Sequence, residues 1–83
     1  MAYEIKFDKA AIKFLKTRCE KEREKILSSI SKLPDSSGVK KMSGFINRYR
    51  LRVGDVRVIY EKFDDVFVIV IIDIGNRGDI YKK

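Results

Sequence analysis

The chain opens on a two-residue period. Tyr3, Ile5 and Phe7 alternate with Glu4 and Lys6, which predicts a half-buried strand with the three apolar side chains on one face. Asp8 follows in the position of a helix N-cap. Ala11, Ile12, Phe14 and Leu15 then recur at helical spacing and predict a short helix ending near Thr17 or Arg18. A second helix is predicted over 20–33, with Ile26, Leu27, Ile30 and Leu33 as its apolar stripe. The run of mixed charge over 20–25 reads as the solvated side of that helix. Pro34 stops it, and Asp35-Ser36-Ser37-Gly38 reads as a loop. The stretch 39–45, with Lys40 and Lys41 exposed, reads as a connection.

From Ile46 the period returns to two. Tyr49, Leu51 and Val53 alternate with Arg48, Arg50 and Arg52. Gly54-Asp55 then reads as a two-residue hairpin turn, with Gly54 at the positive-φ position of a type II′ turn. Val56, Val58 and Tyr60 alternate with Arg57, Ile59 and Glu61, and Phe63-Asp64-Asp65 makes a second turn. Positions 66–72 are all apolar, which predicts a central strand buried on both faces. The remainder, 73–83, reads as a glycine-punctuated, partly exposed tail. The order β-α-α-β-β-β predicts an α+β fold, with two N-terminal helices packed on one face of a largely antiparallel, twisted sheet. With 83 residues and no repeat or linker, one domain over 1–83 is expected.

The hairpin turn has a geometric consequence. It pairs Val53 with Val56, Arg52 with Arg57 and Leu51 with Val58. Arg48, Arg50, Arg52 and Arg57 then share one face, and Tyr49, Leu51, Val53, Val56, Val58 and Tyr60 the other, where the helices sit. Tyr60 is thereby a core residue. Two arginines directly opposite repel. Between Lys40 and Arg57 stand six basic residues and one acidic one, Asp55. Such a face is either a solvated sheet surface or a set of forked donors suited to phosphate.

Composition favours the second reading. The net charge is +7 and the pI near 9.7, which points to a polyanionic partner. There is no histidine, which excludes a Ser-His-Asp triad and a Cys-His pair, and with Cys19 as the lone cysteine no zinc set and no internal disulfide is expected. Cys19 itself reads as a small buried or half-exposed helical side chain. The longest apolar run, 66–72, is too short to span a bilayer, and the N-terminal residues lack the apolar core of a secretory signal. A cytoplasmic protein with no cofactor, no metal and no membrane partner is expected. Near the end of the chain Tyr81 follows Arg77 by four residues; a terminal tyrosine either pins the tail or stacks on a base. Gly75, Asn76 and Gly78 read as turn residues.

Stretches 7–16, 49–60 and 74–81 resemble, in order and spacing, the opening, central and closing motifs of RelE/ParE-superfamily toxins, so that the resemblance covers essentially the whole chain. It implies a toxin silenced by a cognate antitoxin, here expected to be acidic. Members near RelE cut messenger RNA in the ribosomal A site, whereas ParE-like members poison DNA gyrase. The tail pair Arg77 and Tyr81 matches the RNA-cleaving branch. In the RNA-cleaving branch the positions of Arg50, Arg52 and Arg57 bind and activate the RNA, and those of Arg77 and Tyr81 complete the site; a mechanism consistent with these residues is a metal-independent attack of the RNA 2′-hydroxyl on the adjacent phosphate. Arg50 and Arg52 would hold the phosphate, Arg57 would meet the developing charge, Arg77 would assist the leaving oxygen and Tyr81 would orient the nucleotide. Arg48, Lys40, Lys41, Lys82 and Lys83 are expected to contact RNA around that site. One departure stands out: the positions of Arg50 and Arg52 are often lysine in RelE-like enzymes, and arginine does not give up its proton. A gyrase inhibitor, a non-catalytic RNA-binding module and an inactive relative are the alternatives.

Overall fold

The structure, a computed structural model, describes residues 3–33 and 38–76. The elements run β1 (Glu4–Phe7), α1 (Lys9–Lys16), α2 (Glu20–Ser31), β2 (Val39–Lys41), β3 (Arg48–Val53), β4 (Val56–Phe63) and β5 (Val68–Asn76). The five strands form one sheet in the order β1-β5-β4-β3-β2. Only β1 pairs in parallel, with β5; the remaining ladders are antiparallel. Both helices lie on one face, and the α+β class expected from the alternating pattern is the one formed.

α1 ends at Lys16, beside the expected Thr17, whereas α2 ends at Ser31, two residues short of the expected Leu33. Asp8 and Cys19 hold the N-cap positions with extended backbone, though neither side chain caps a backbone amide. Cys19 is exposed, with Sγ 3.7 Å from Glu22 Oε1, and not buried in the helix layer. Ala11 and Leu15 of α1, with Ile26 and Ile30 of α2 and Leu33 beyond it, meet Leu51, Val53, Val58, Tyr60, Ile69, Ile71 and Ile74 of the sheet. Two residues expected in the apolar stripes lie at their margins: Ile12 is 41% exposed and Leu27 36%. A helix on a single sheet buries a narrower strip than four consecutive apolar positions cover.

Four strand expectations are corrected. The connection over 39–45 contains β2, a three-residue edge strand too short to display a period. The apolar run does not start a strand at its first residue: Val66 and Phe67 are exposed and belong to the β4–β5 turn, where Phe67 takes a positive φ of 54°. β5 instead runs on through Gly75 and Asn76, which pair with Arg57 and Val56; ladder hydrogen bonds override their turn preference. Nor is β5 fully buried on both faces, since Val70 and Ile72 are half-buried.

A bulge explains how β5 accommodates its own sequence. Ile59 pairs with Asp73 but Tyr60 pairs with Ile71, so Ile72 is the extra residue. Strict alternation from Ile69 and Ile71 would turn Asp73 into the core. The bulge shifts the phase, turns Asp73 to the helix-free face and returns Ile74 to the core at 3% exposure.

Candidate functional site

The β3–β4 hairpin forms with the expected register: Val53 opposite Val56, Arg52 opposite Arg57, Leu51 opposite Val58. Gly54 sits at φ 59° while Asp55 stays out of the left-handed region, as a type II′ turn requires. The arginines therefore stand on the helix-free face. β2 extends that face, because Lys40 pairs with Arg50. Two cross-strand rows result. One reads Lys40, Arg50, Ile59, Asp73; the next reads Arg52, Arg57, Gly75. Directly opposed side chains in such rows have Cβ atoms about 4.5–5.5 Å apart. Gly75 has no side chain to set against Arg57.

These rows frame a shallow groove of about 270 Å³, lined by Gly38, Val39, Lys40, Arg50, Arg52 and Arg57. Among the described residues its lining carries four basic groups and no carboxylate. A larger cleft of about 490 Å³ lies at the hairpin tip, but there Arg18 and Lys25 are offset by Glu22 and Asp55. The unmixed charge, not the larger volume, marks the place where a polyanion would be held. Gly38 makes the groove's narrow end possible. At φ 82° its carbonyl accepts the Arg52 amide at 3.2 Å, and an added Cβ would stand 3.3 Å from the Arg52 carbonyl oxygen.

The expected site residues divide accordingly. Arg50, Arg52, Arg57 and Lys40 come together. Arg48 shares their face outside the groove: its Nη2 donates to Glu61 Oε2 at 2.9 Å, and its guanidinium lies 4.3 Å from the Phe45 ring centre. Its Nε is buried without a hydrogen-bond partner. Glu61, an alternating polar position in the sequence, is the ladder partner that holds Arg48. Lys41 pairs with Tyr49 and so falls on the opposite side of the sheet, exposed at its edge. Arg77, Tyr81, Lys82 and Lys83 lie outside the described residues. Tyr60, read as core, is 1% exposed and stacks on Tyr49 with centroids 5.5 Å apart. Burial, with a smaller contribution from Tyr49, pushes its hydroxyl up to about 12.

Gly38 and Val39 were not legible as site residues, since only the pairing of β2 brings them to the groove. The same holds for Phe45, which no local pattern sets beside Arg48. It stands in the β2–β3 loop, partly exposed, and neighbouring Ile46 is 84% exposed.

Fold and groove together define a small basic α+β domain with helices on one face of its sheet, and comparison with known proteins gives its family. Residues 5–81 match the family model described as the ParE toxin of the type II toxin–antitoxin system, parDE, and the chain belongs to that family, within the RelE/ParE superfamily. Among solved structures it is similar to the archaeal RelE of the RelE–RelB complex from Pyrococcus horikoshii OT3, at 29% identity and TM-score 0.78, covering 95% of this chain and 99% of that one. It is also similar to RelE of the RelB–RelE complex from Methanococcus jannaschii, at 28% identity and TM-score 0.72, covering 93% and 95%. The isolated E. coli RelE toxin shares the fold at 23% identity and TM-score 0.76, covering 96% and 92%. No curated protein sequence matches the chain. The RelE relatives from P. horikoshii and M. jannaschii were crystallised with RelB antitoxins.

Proposed function

We propose that the protein is the toxin of a type II toxin–antitoxin pair that cleaves messenger RNA on the ribosome, by metal-independent attack of a 2′-hydroxyl on the adjacent phosphate. The observation that carries this reading is the groove in which Lys40, Arg50, Arg52 and Arg57 converge. Guanidinium groups on rigid strands are pre-organised for the oxygens of one phosphate, and such pre-organised charge is the main source of transition-state stabilisation where charge builds up. Arg50 and Arg52 would seat the phosphate and Arg57 would face the charge of the pentavalent transition state. Arg77 and Tyr81 are proposed to complete the site from the tail. The products would be a 2′,3′-cyclic phosphate and a 5′-hydroxyl. A cognate antitoxin with an acidic segment would silence the toxin by covering this face.

The second reading, a DNA gyrase inhibitor, is favoured by one observation, the match to the ParE family model. It gives no role to a phosphate groove. Primer extension on a reporter message translated in a purified system separates the two, with wild type beside Arg52→Ala/Arg57→Ala. Translation-dependent cuts that vanish in the variant are expected. An intact message at protein levels that still arrest growth would establish the gyrase reading instead.

A further inference from the structure

One side chain in the groove differs in kind from its neighbours. Arg50, Arg52 and Arg57 donate hydrogen bonds but keep their protons across the range in which a protein is folded. Lys40 carries an amine, which exists with or without its third proton. It comes from β2, which the chain pattern did not separate from a loop, and pairing sets it directly opposite Arg50. The charged groups among the described residues that line the groove with it are Arg50 and Arg52 from β3 and Arg57 from β4, beside the uncharged Gly38 and Val39. Among the described residues no carboxylate pairs with its ammonium.

We propose that Lys40 is the proton-accepting catalytic residue of the RNA cleavage described above. The inference rests on the nuclease reading and deepens it: β3 and β4 bring only arginines to the described lining, and β2 supplies its amine across the ladder from Arg50. In the step, the neutral amine takes the 2′-hydroxyl proton as the 2′-oxygen bonds to phosphorus. The bond from phosphorus to the 5′-oxygen breaks, and the departing alkoxide takes a proton from water. The ammonium returns its proton to solvent. Arg50 and Arg52 keep the phosphate fixed while the proton moves.

The test is single-turnover cleavage on pre-assembled ribosomes with message in the A site, comparing wild type, Lys40→Arg and Lys40→Ala. Lys40→Arg preserves charge and length on an exposed edge, and circular dichroism checks its fold. It is expected to slow cleavage by about 10²–10⁴-fold, the usual contribution of a general base, with ribosome affinity unchanged. The wild-type rate and the Lys40→Arg rate are expected to differ in their pH profiles, because the guanidinium cannot serve as a base. Added ethylamine restores part of the rate to Lys40→Ala and none to Lys40→Arg. A Lys40→Arg variant that cuts at the wild-type rate overturns the proposal and leaves the nuclease reading intact. Wild-type protein that binds the ribosome yet leaves the message whole overturns both.

Discussion

Arg52 and Arg57 face each other across the β3–β4 ladder, an arrangement that costs stability wherever like charges oppose. The pair is explicable as a binding device held at that cost. Arg52→Thr is therefore expected to leave the melting temperature unchanged or raise it, by up to about 1 kcal/mol of stability, while abolishing message cleavage. The gain should shrink in 1 M salt, where the repulsion is screened. A marked loss of stability in Arg52→Thr would show that the arginine serves the fold. Arg48 is the contrasting case. Its ion pair with Glu61 is part-exposed at 30% on each side and contributes about 1 kcal/mol or less. Its position, not its charge alone, separates it from the groove residues.

Among the elements, β2 matters beyond its length because it brings Lys40 and Gly38 to the arginines. Gly38→Ala would place a side chain at φ 82° and press it against the Arg52 carbonyl. A loss of about 1–2 kcal/mol, the cost of left-handed backbone for a residue with a Cβ, is expected in chemical denaturation. Cleavage should fall as well, since the Gly38 carbonyl accepts the Arg52 amide and helps to place that strand. The two faces of α2 differ as sharply. Ile30 is 1% exposed and Leu27 36%. Ile30→Ala should cost about 2–5 kcal/mol in urea unfolding, against less than half of that for Leu27→Ala, whose side chain leaves a smaller cavity.

For the molecule as a whole, two pH- and salt-dependent properties follow. The folded Tyr60 hydroxyl titrates at about 12, above the ordinary value of 10.0, because the core disfavours its anion. The neutral form is the one the fold stabilises, so its contribution is complete below pH 10 and is lost as pH rises toward 12. The loss across that interval amounts to roughly 3 kcal/mol, since each tenfold change in the protonation equilibrium is worth about 1.4 kcal/mol. Tyr60→Phe should remove this part of the alkaline decline, measured by denaturation at pH 7 and at pH 11. Separately, on the proposed reading, ribosome or RNA binding should weaken steeply with salt, in keeping with a charge of +7 and four basic groups in the groove.

Sequence alone determined whatever depends on local pattern. The two-residue period around Gly54-Asp55 dictates the hairpin register, because a turn of two residues leaves one pairing and the apolar set admits only one buried face. From that register the arginine face followed, with Tyr60 in the core. Two Arg-bearing positions, Arg50 and Arg52, and their partner strand's Arg57 were legible as one cluster for this reason. Only tertiary structure decided what non-local pairing controls. A three-residue strand carries no period, so β2 and the approach of Lys40 to Arg50 were invisible until the sheet closed. A uniform apolar run gives no phase, so the bulge at Ile72, which sends Asp73 outward and Ile74 inward, arises from pairing with β4. Glu61 likewise gained its partner Arg48 only across the ladder, 13 residues away in the chain.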